Sequence, residues 1–172
     1  MTESMKRANS LRRLVSQMHR DLETALRLGQ QSLFFAEGVN EAEIGQRNPG
    51  IYAVALSLQH FYTAVETLFG RVIHEIQGEI PSGGDWHRQL LDEVTLAIKG
   101  ARPALISQSL REPLDRLRRF RYIVRHGYEY ELDWCQILPL VQSLPKIEAQ
   151  LKEDLQSFEL FVLDTIEALE SQ

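Results

Sequence analysis

The sequence predicts an all-α protein of about five helices folded as one domain, and three observations carry that expectation. Only ten glycines and six prolines interrupt 172 residues. Leu, Ala, Glu, Gln and Arg, which favour helices, are abundant. Apolar residues recur every three to four positions over several long stretches. With 44% apolar and 8% aromatic residues, the chain can bury one sizeable core. Residues 1–172 are therefore expected to form a single helical domain, with a long N-terminal helix over 1–36 and the core over 51–165. Met1 to Arg7 leads into no apolar signal region, and no apolar run approaches the ~20 residues that a bilayer requires. A cytoplasmic protein without membrane contact is expected. Cys135 is the only cysteine, which excludes an intrachain disulfide and a cysteine-rich zinc site and leaves an inert thiol.

The first helix is expected from near Glu3 to Phe35, where Leu11, Leu14, Met18, Leu22, Ala25 and Leu33 track one face. Lys6, Arg7, Arg12, Arg13 and Arg20 make its first half basic, either a face that touches RNA or plain surface. Glu37 to Gly50 contains Asn40, Asn48 and Pro49 and is expected as a loop. A second helix over about Ile51 to Gln77 carries Val54, Leu58, Phe61, Val65, Leu68, Val72 and Ile76, the pattern of a central core helix. Its His60 and His74 lack the spacing of metal-binding pairs and are expected as ordinary satisfied or surface histidines. Gly78 to Gly84 breaks the chain. Asp85 suits the N-cap of a shorter third helix through Ile98, with Trp86, Leu90, Leu91, Val94 and Ala97 packed inward. After a connection containing Arg102 and Pro103, Ser109 and Glu112 have the spacing of a capping box that starts a fourth helix, ending near His126. Glu129 to Asp133 is expected as a short loop. Asp133 and Gln136 mark the start of a last helical segment, which Pro139 and Pro145 bend or divide before Ile147, Leu151, Leu155, Phe158 and Val162 continue it.

The stretch that departs from scaffold is Phe120 to Tyr128, Phe-Arg-Tyr-Ile-Val-Arg-His-Gly-Tyr. Leu110, Leu114, Leu117, Arg121 and Val124 share one stripe, so Arg121 points into the apolar face of its own helix and must find partners there. His126, five residues later, would point about 140° away in an unbroken helix. The two converge either if the helix ends near His126, as Gly127 permits, or if a second copy of the chain contributes across an interface. The formal net charge is −5, against a generally sticky nucleic-acid binder. Between Arg111 and Arg125, however, six arginines face only Glu112 and Asp115. That strip is either a place where RNA is held or a solvated face with pairs such as Asp115 to Arg119.

The spacing of Arg121, His126 and Tyr128 resembles the signature of the HEPN superfamily of helical RNA-cleaving domains, most of all its HepT-like toxins. Tyr62-Thr63-Ala64-Val65-Glu66, Gly84-Asp85-Trp86-His87-Arg88-Gln89-Leu90-Leu91, Arg102-Pro103-Ala104 and Leu132-Asp133-Trp134 also look like that group, extending the resemblance from about Ile51 to Val162. It implies a HEPN-like up-and-down bundle that dimerises through the motif helix. It also implies a toxin that cuts tRNA or mRNA without metal or cofactor, and a groove formed between two chains. Arg121 would sit on the phosphate and His126 would act as base or acid, with products ending in a cyclic phosphate. Tyr128 would be the residue to which a minimal nucleotidyltransferase antitoxin attaches AMP, the added charge and bulk switching the nuclease off. Many HEPN nucleases carry Asn or Asp after the motif arginine; here Tyr122 stands there.

The residue types suit the chemistry. Histidine moves protons near neutrality, and arginine presents a planar, permanently charged fork to phosphate. Glu66 either orients Arg121 or is a surface glutamate, Arg125 adds charge or covers surface, and Tyr122 is a further candidate. Arg118, Arg119 and Arg125 are the candidate RNA contacts, and His87 is expected to be structural. Two rivals remain: a non-catalytic HEPN-like module that binds a nucleotide or a protein, and a plain helical bundle with Arg121 in an interfacial salt bridge. A DNA-reading helix-turn-helix is disfavoured, because the arginine-rich helix needs its apolar stripe for packing.

Overall fold

The computed structural model describes residues 2–39, 48–126 and 132–171. Five α-helices follow in order: α1 (Glu3–Glu37), α2 (Pro49–Gln77), α3 (Trp86–Val94), α4 (Gln108–His126) and α5 (Trp134–Glu170). No strand appears among the described residues. Gly127 and Tyr128 lie outside them, as do residues 129–131 of the loop expected over Glu129 to Asp133 and residues 40–47 of the loop expected over Glu37 to Gly50.

Helix α2 is the centre because its apolar stripe is the widest. Val54, Leu58, Phe61, Val65, Leu68, Val72 and Ile73 are fully buried, and Tyr62 and Phe69 broaden the stripe. At about 25 cal/mol per Å2 of apolar surface, each such side chain contributes roughly 1.5–3 kcal/mol. Asn48 caps the helix on the Gly50 amide at 2.8 Å, and Gly78, at φ 84°, ends it in the left-handed conformation that glycine tolerates. The neighbour α1 runs antiparallel to α2: Arg7 pairs with Glu75 at 2.9 Å near one end, and Asp21 accepts from Arg71 at 2.8 Å. Helix α5 runs antiparallel to α1, tied by Arg12 to Glu170 at 2.6 Å, His19 to Glu159 at 2.8 Å and Gln30 to Glu148 at 2.8 Å. The basic residues Lys6, Arg7 and Arg12 thus have acidic partners.

Three expectations about element ends are corrected. Helix α3 stops at Val94, and Ala97 and Ile98 are exposed. The carbonyls that would carry the helix onward are taken from elsewhere: Val94 accepts from the amides of Leu105 and Ile106, and Glu93 from the guanidinium of Arg102. Asp85 stands at the N-cap position but makes no side-chain cap bond, pairing instead with Arg88 at 2.5 Å. At α4, Ser109 lies inside the helix and Glu112 turns to Arg116. Ser107 precedes the helix instead, held by its amide and hydroxyl to Asp154 of α5 at 2.7 and 2.8 Å. A tertiary contact outweighs the local capping pattern there.

Pro139 and Pro145 lie inside a continuous α5 rather than dividing it. An interior proline removes one backbone hydrogen bond and costs about 3 kcal/mol. Ile137, Val141, Leu144, Ile147 and Leu151 are all buried around the two prolines, and their combined contribution exceeds that cost.

Helices α1 and α5 meet around a buried carboxylate. A Cβ added at Gly29 would meet Glu148 Oε1 and lie 3.3 Å from the Phe61 ring, so a larger residue there would displace the Glu148 carboxylate. Glu148 is 4% exposed; Oε2 accepts from Gln30, whereas Oε1 has no hydrogen-bond partner among the described residues. Burial raises its pKa, opposed by the Gln30 hydrogen bond and the charge of Lys152. A carboxyl raised in the folded state weighs against folding above that pKa and is relieved as the pH falls toward the unfolded value near 4.5. Glu148→Gln is therefore expected to raise stability at pH 7 by about 1 kcal/mol. Thermal melts should show the gap to wild type narrowing as the pH falls toward 5.

Candidate functional site

Arg121 is placed by the stripe it interrupts. Its position on the inner face of α4 turns it toward α2, and the residue is only 8% exposed. A guanidinium there needs an anion, and α2 supplies Glu66, itself 5% exposed. Arg121 Nη1 lies 3.6 Å from Glu66 Oε2, and Nε donates to Thr63 Oγ1 at 3.1 Å. The Thr63 hydroxyl donates in turn to the Gln59 carbonyl at 2.9 Å, leaving its lone pairs for the arginine. Glu66 is thus buried beside Arg121 and not at the surface.

The other Glu66 oxygen is also occupied. Oε1 lies 2.5 Å from His87 Nδ1, at the first turn of α3. His87 packs on the Trp86 indole with ring centroids 3.7 Å apart, so the imidazole is fixed by a face and an edge. A histidine expected to be structural thus shares one carboxylate with Arg121. Nothing in its spacing could reveal this, since the pair spans two helices and 21 positions.

His126 occupies the last turn of α4, and its ring lies on Tyr122 with centroids 4.5 Å apart. Nδ1 is 3.0 Å from the Tyr122 carbonyl, which can only accept, so Nδ1 donates and Nε2 is left as the acceptor of a neutral ring. The helix continues through His126, and the two residues point apart as the helical angle requires: Arg121 is buried and His126 exposed. They nevertheless border one cavity of about 640 Å3 that opens beside the N-terminal end of α3 and is also lined by His87, Tyr122 and Arg125. A single chain brings them to one space.

The arginine strip is less free than its count suggests. Asp115, 6% exposed, accepts from Arg118 at 2.7 Å and pairs with Arg119 at 2.7 Å. Burial pushes its pKa up, but the hydrogen bond and charge of Arg118, with Arg119, outweigh that and hold it below the usual carboxylate value. Both arginines line the cavity while attached to an internal anion. Arg125 is exposed and makes no ion pair among the described residues. Arg102 is a structural residue, buried at 4% and donating to the Leu96, Pro103 and Glu93 carbonyls. No group of three metal-ligating side chains occurs among the described residues, and no described helix is long and apolar enough to cross a membrane.

A family model described as HepT-like protein matches residues 53–162, more than half of the chain. The chain belongs to the HepT-like family. No curated protein and no solved structure matched it. The matched range contains Glu66, His87, Arg121, His126 and Tyr128, so the whole cluster lies within the HepT-like part. Membership puts the chain among HEPN-type toxin modules, a group generally associated with RNase activity.

Proposed function

We propose that this HepT-like protein is a metal-independent endoribonuclease toxin that cuts tRNA or mRNA as a homodimer. Arg121 binds the scissile phosphate and His126 Nε2 removes the 2′-hydroxyl proton, giving a 2′,3′-cyclic phosphate. A minimal nucleotidyltransferase antitoxin adds AMP to Tyr128, two residues beyond His126, and so places bulk and negative charge where RNA phosphate must lie. The observation that carries the proposal is one cavity bordered by a buried, carboxylate-anchored arginine and a histidine whose Nε2 is left free by its backbone hydrogen bond.

The exposed side chains on the outer face of α4 agree with a paired motif helix: Tyr122 is 65% and Ile123 42% exposed beside the cavity. The non-catalytic binding module has one observation in its favour, since Arg118, Arg119 and Arg121 are all engaged by carboxylates within the chain. Both are tested by incubating the protein, purified without any partner, with total tRNA in EDTA, after intact mass shows no added AMP. Cutting supports the nuclease. Intact RNA with a folded, unmodified dimer would replace it with the binding module.

A further inference from the structure

We propose that His87 is a second proton-transferring residue of this site, the acid that protonates the leaving 5′-oxygen while His126 serves as base. The inference rests on the ribonuclease proposal and extends it. Cleavage of RNA by its own 2′-hydroxyl forms a 2′-O to phosphorus bond and breaks the phosphorus to 5′-O bond. One proton leaves the 2′-oxygen and another must reach the 5′-oxygen. His126 can take the first on Nε2. The second needs its own donor in the same space.

His87 meets the geometric requirements. It lines the cavity that Arg121 and His126 border, and its Nδ1 is committed to Glu66 at 2.5 Å, which leaves Nε2 as the nitrogen available to a ligand. A carboxylate accepts from Nδ1 whether or not Nε2 carries a proton, so the ring can give up and regain that proton without changing partner. Trp86 on the ring face holds the same orientation.

The assignment of acid and base follows from the second partners. Nδ1 of His126 faces a neutral carbonyl, whereas Nδ1 of His87 faces a buried anion that offsets the charge of a ring carrying two protons. The N-terminal end of α3 and the guanidinium of Arg121, 3.6 Å from the same carboxylate, act in the opposite direction, but Glu66 is the charge at hydrogen-bond distance from His87, at 2.5 Å. Glu66 is not monopolised by Arg121, whose nearest contact to it is 3.6 Å.

The test is single-turnover cleavage of a short RNA and of the same RNA with a bridging 5′-sulfur at the scissile position. A thiolate leaves without help, so loss of the acid should matter only for the oxygen substrate. His87→Ala is expected to slow the oxygen substrate by about 10²–10⁴-fold and to cut the sulfur substrate within about tenfold of wild type. Retained cutting of the sulfur substrate also shows that the variant is folded. His126→Ala should be slow on both. Wild-type activity that survives His87→Ala on the oxygen substrate overturns the assignment, as does sulfur rescue of His126→Ala in place of His87→Ala. If His87→Ala cuts neither substrate, His87→Gln, which retains a donor toward Glu66, is tried; failure of sulfur rescue in that variant as well overturns the acid. Absence of cutting by the wild type brings down the ribonuclease proposal and the acid with it, whereas the other adverse outcomes remove the acid alone.

Discussion

His126→Ala should abolish RNA cleavage at the level of a standard gel assay, a fall of about 10²–10⁴-fold in single-turnover rate. The expected loss is confined to chemistry. His126 is exposed, and its contacts among the described residues are the Tyr122 carbonyl and the Tyr122 ring within the same helical turn, so its removal leaves no described buried group without a partner. The melting temperature should stay within a degree or two of wild type, and the oligomeric state should not change. A variant that lost stability together with activity would point to a structural role at the end of α4. A variant that kept cutting would place the proton transfer elsewhere. Circular dichroism melts and the rate on one labelled RNA, taken side by side, separate the three results.

Arg121 is expected to behave in the opposite way, losing stability and activity together. Arg121→Met removes the cation from a buried pair and leaves Glu66, 5% exposed, with His87 as its remaining partner. Breaking a buried ion pair costs several kcal/mol, and the retained histidine reduces this to about 2 kcal/mol. For a chain of this size that corresponds to a fall of about 4–8 °C in Tm. Cleavage should drop by about 10²–10³-fold through loss of the phosphate contact. The double variant Arg121→Met, Glu66→Gln discharges the orphaned carboxylate and should regain most of the stability while remaining inactive. Restored activity in that variant would reduce Arg121 to a packing residue.

The difference between these residues was only partly legible in the sequence. The stripe of Leu110, Leu114, Leu117 and Val124 reveals that Arg121 points inward, because helical period alone sets the direction of a side chain. What it meets there is a matter of tertiary packing, so neither the burial of Glu66 nor its contact with His87 can be read from spacing. The same limit appears in the fold. Long periodic stretches disclosed α1, α2 and most of α4, together with the Asp133 cap of α5, which accepts from the Cys135 amide at 2.9 Å. The end of α3 and the start of α4 depart from the local pattern because Arg102, from the connection just beyond α3, and Asp154, from α5, override local capping. Pro139 and Pro145 do not divide α5, for the converse reason: a well-buried helix tolerates a breaker that an isolated one would not. Tyr128 follows the motif by position alone and lies outside the described residues.

The carboxylates that hold α4's arginines set how strongly the surface can respond to dissolved electrolyte. Each phosphate neutralised by an unengaged cation contributes a slope of about −0.7 to the logarithmic dependence of single-strand affinity on ionic strength. Arg111, Arg116, Arg118, Arg119 and Arg121 already have acidic neighbours, which among the described residues leaves Arg125 of the six. An approaching strand must exchange places with Glu112 or Asp115 instead of meeting bare charge. Six unengaged arginines would give a slope of about −4; with five of them paired, a slope nearer −1 is the expected result. Under the proposed function, RNA capture at such a surface is expected to be weak and quickly reversed, and discrimination among RNAs to fall to the shape of the cavity instead of long-range attraction.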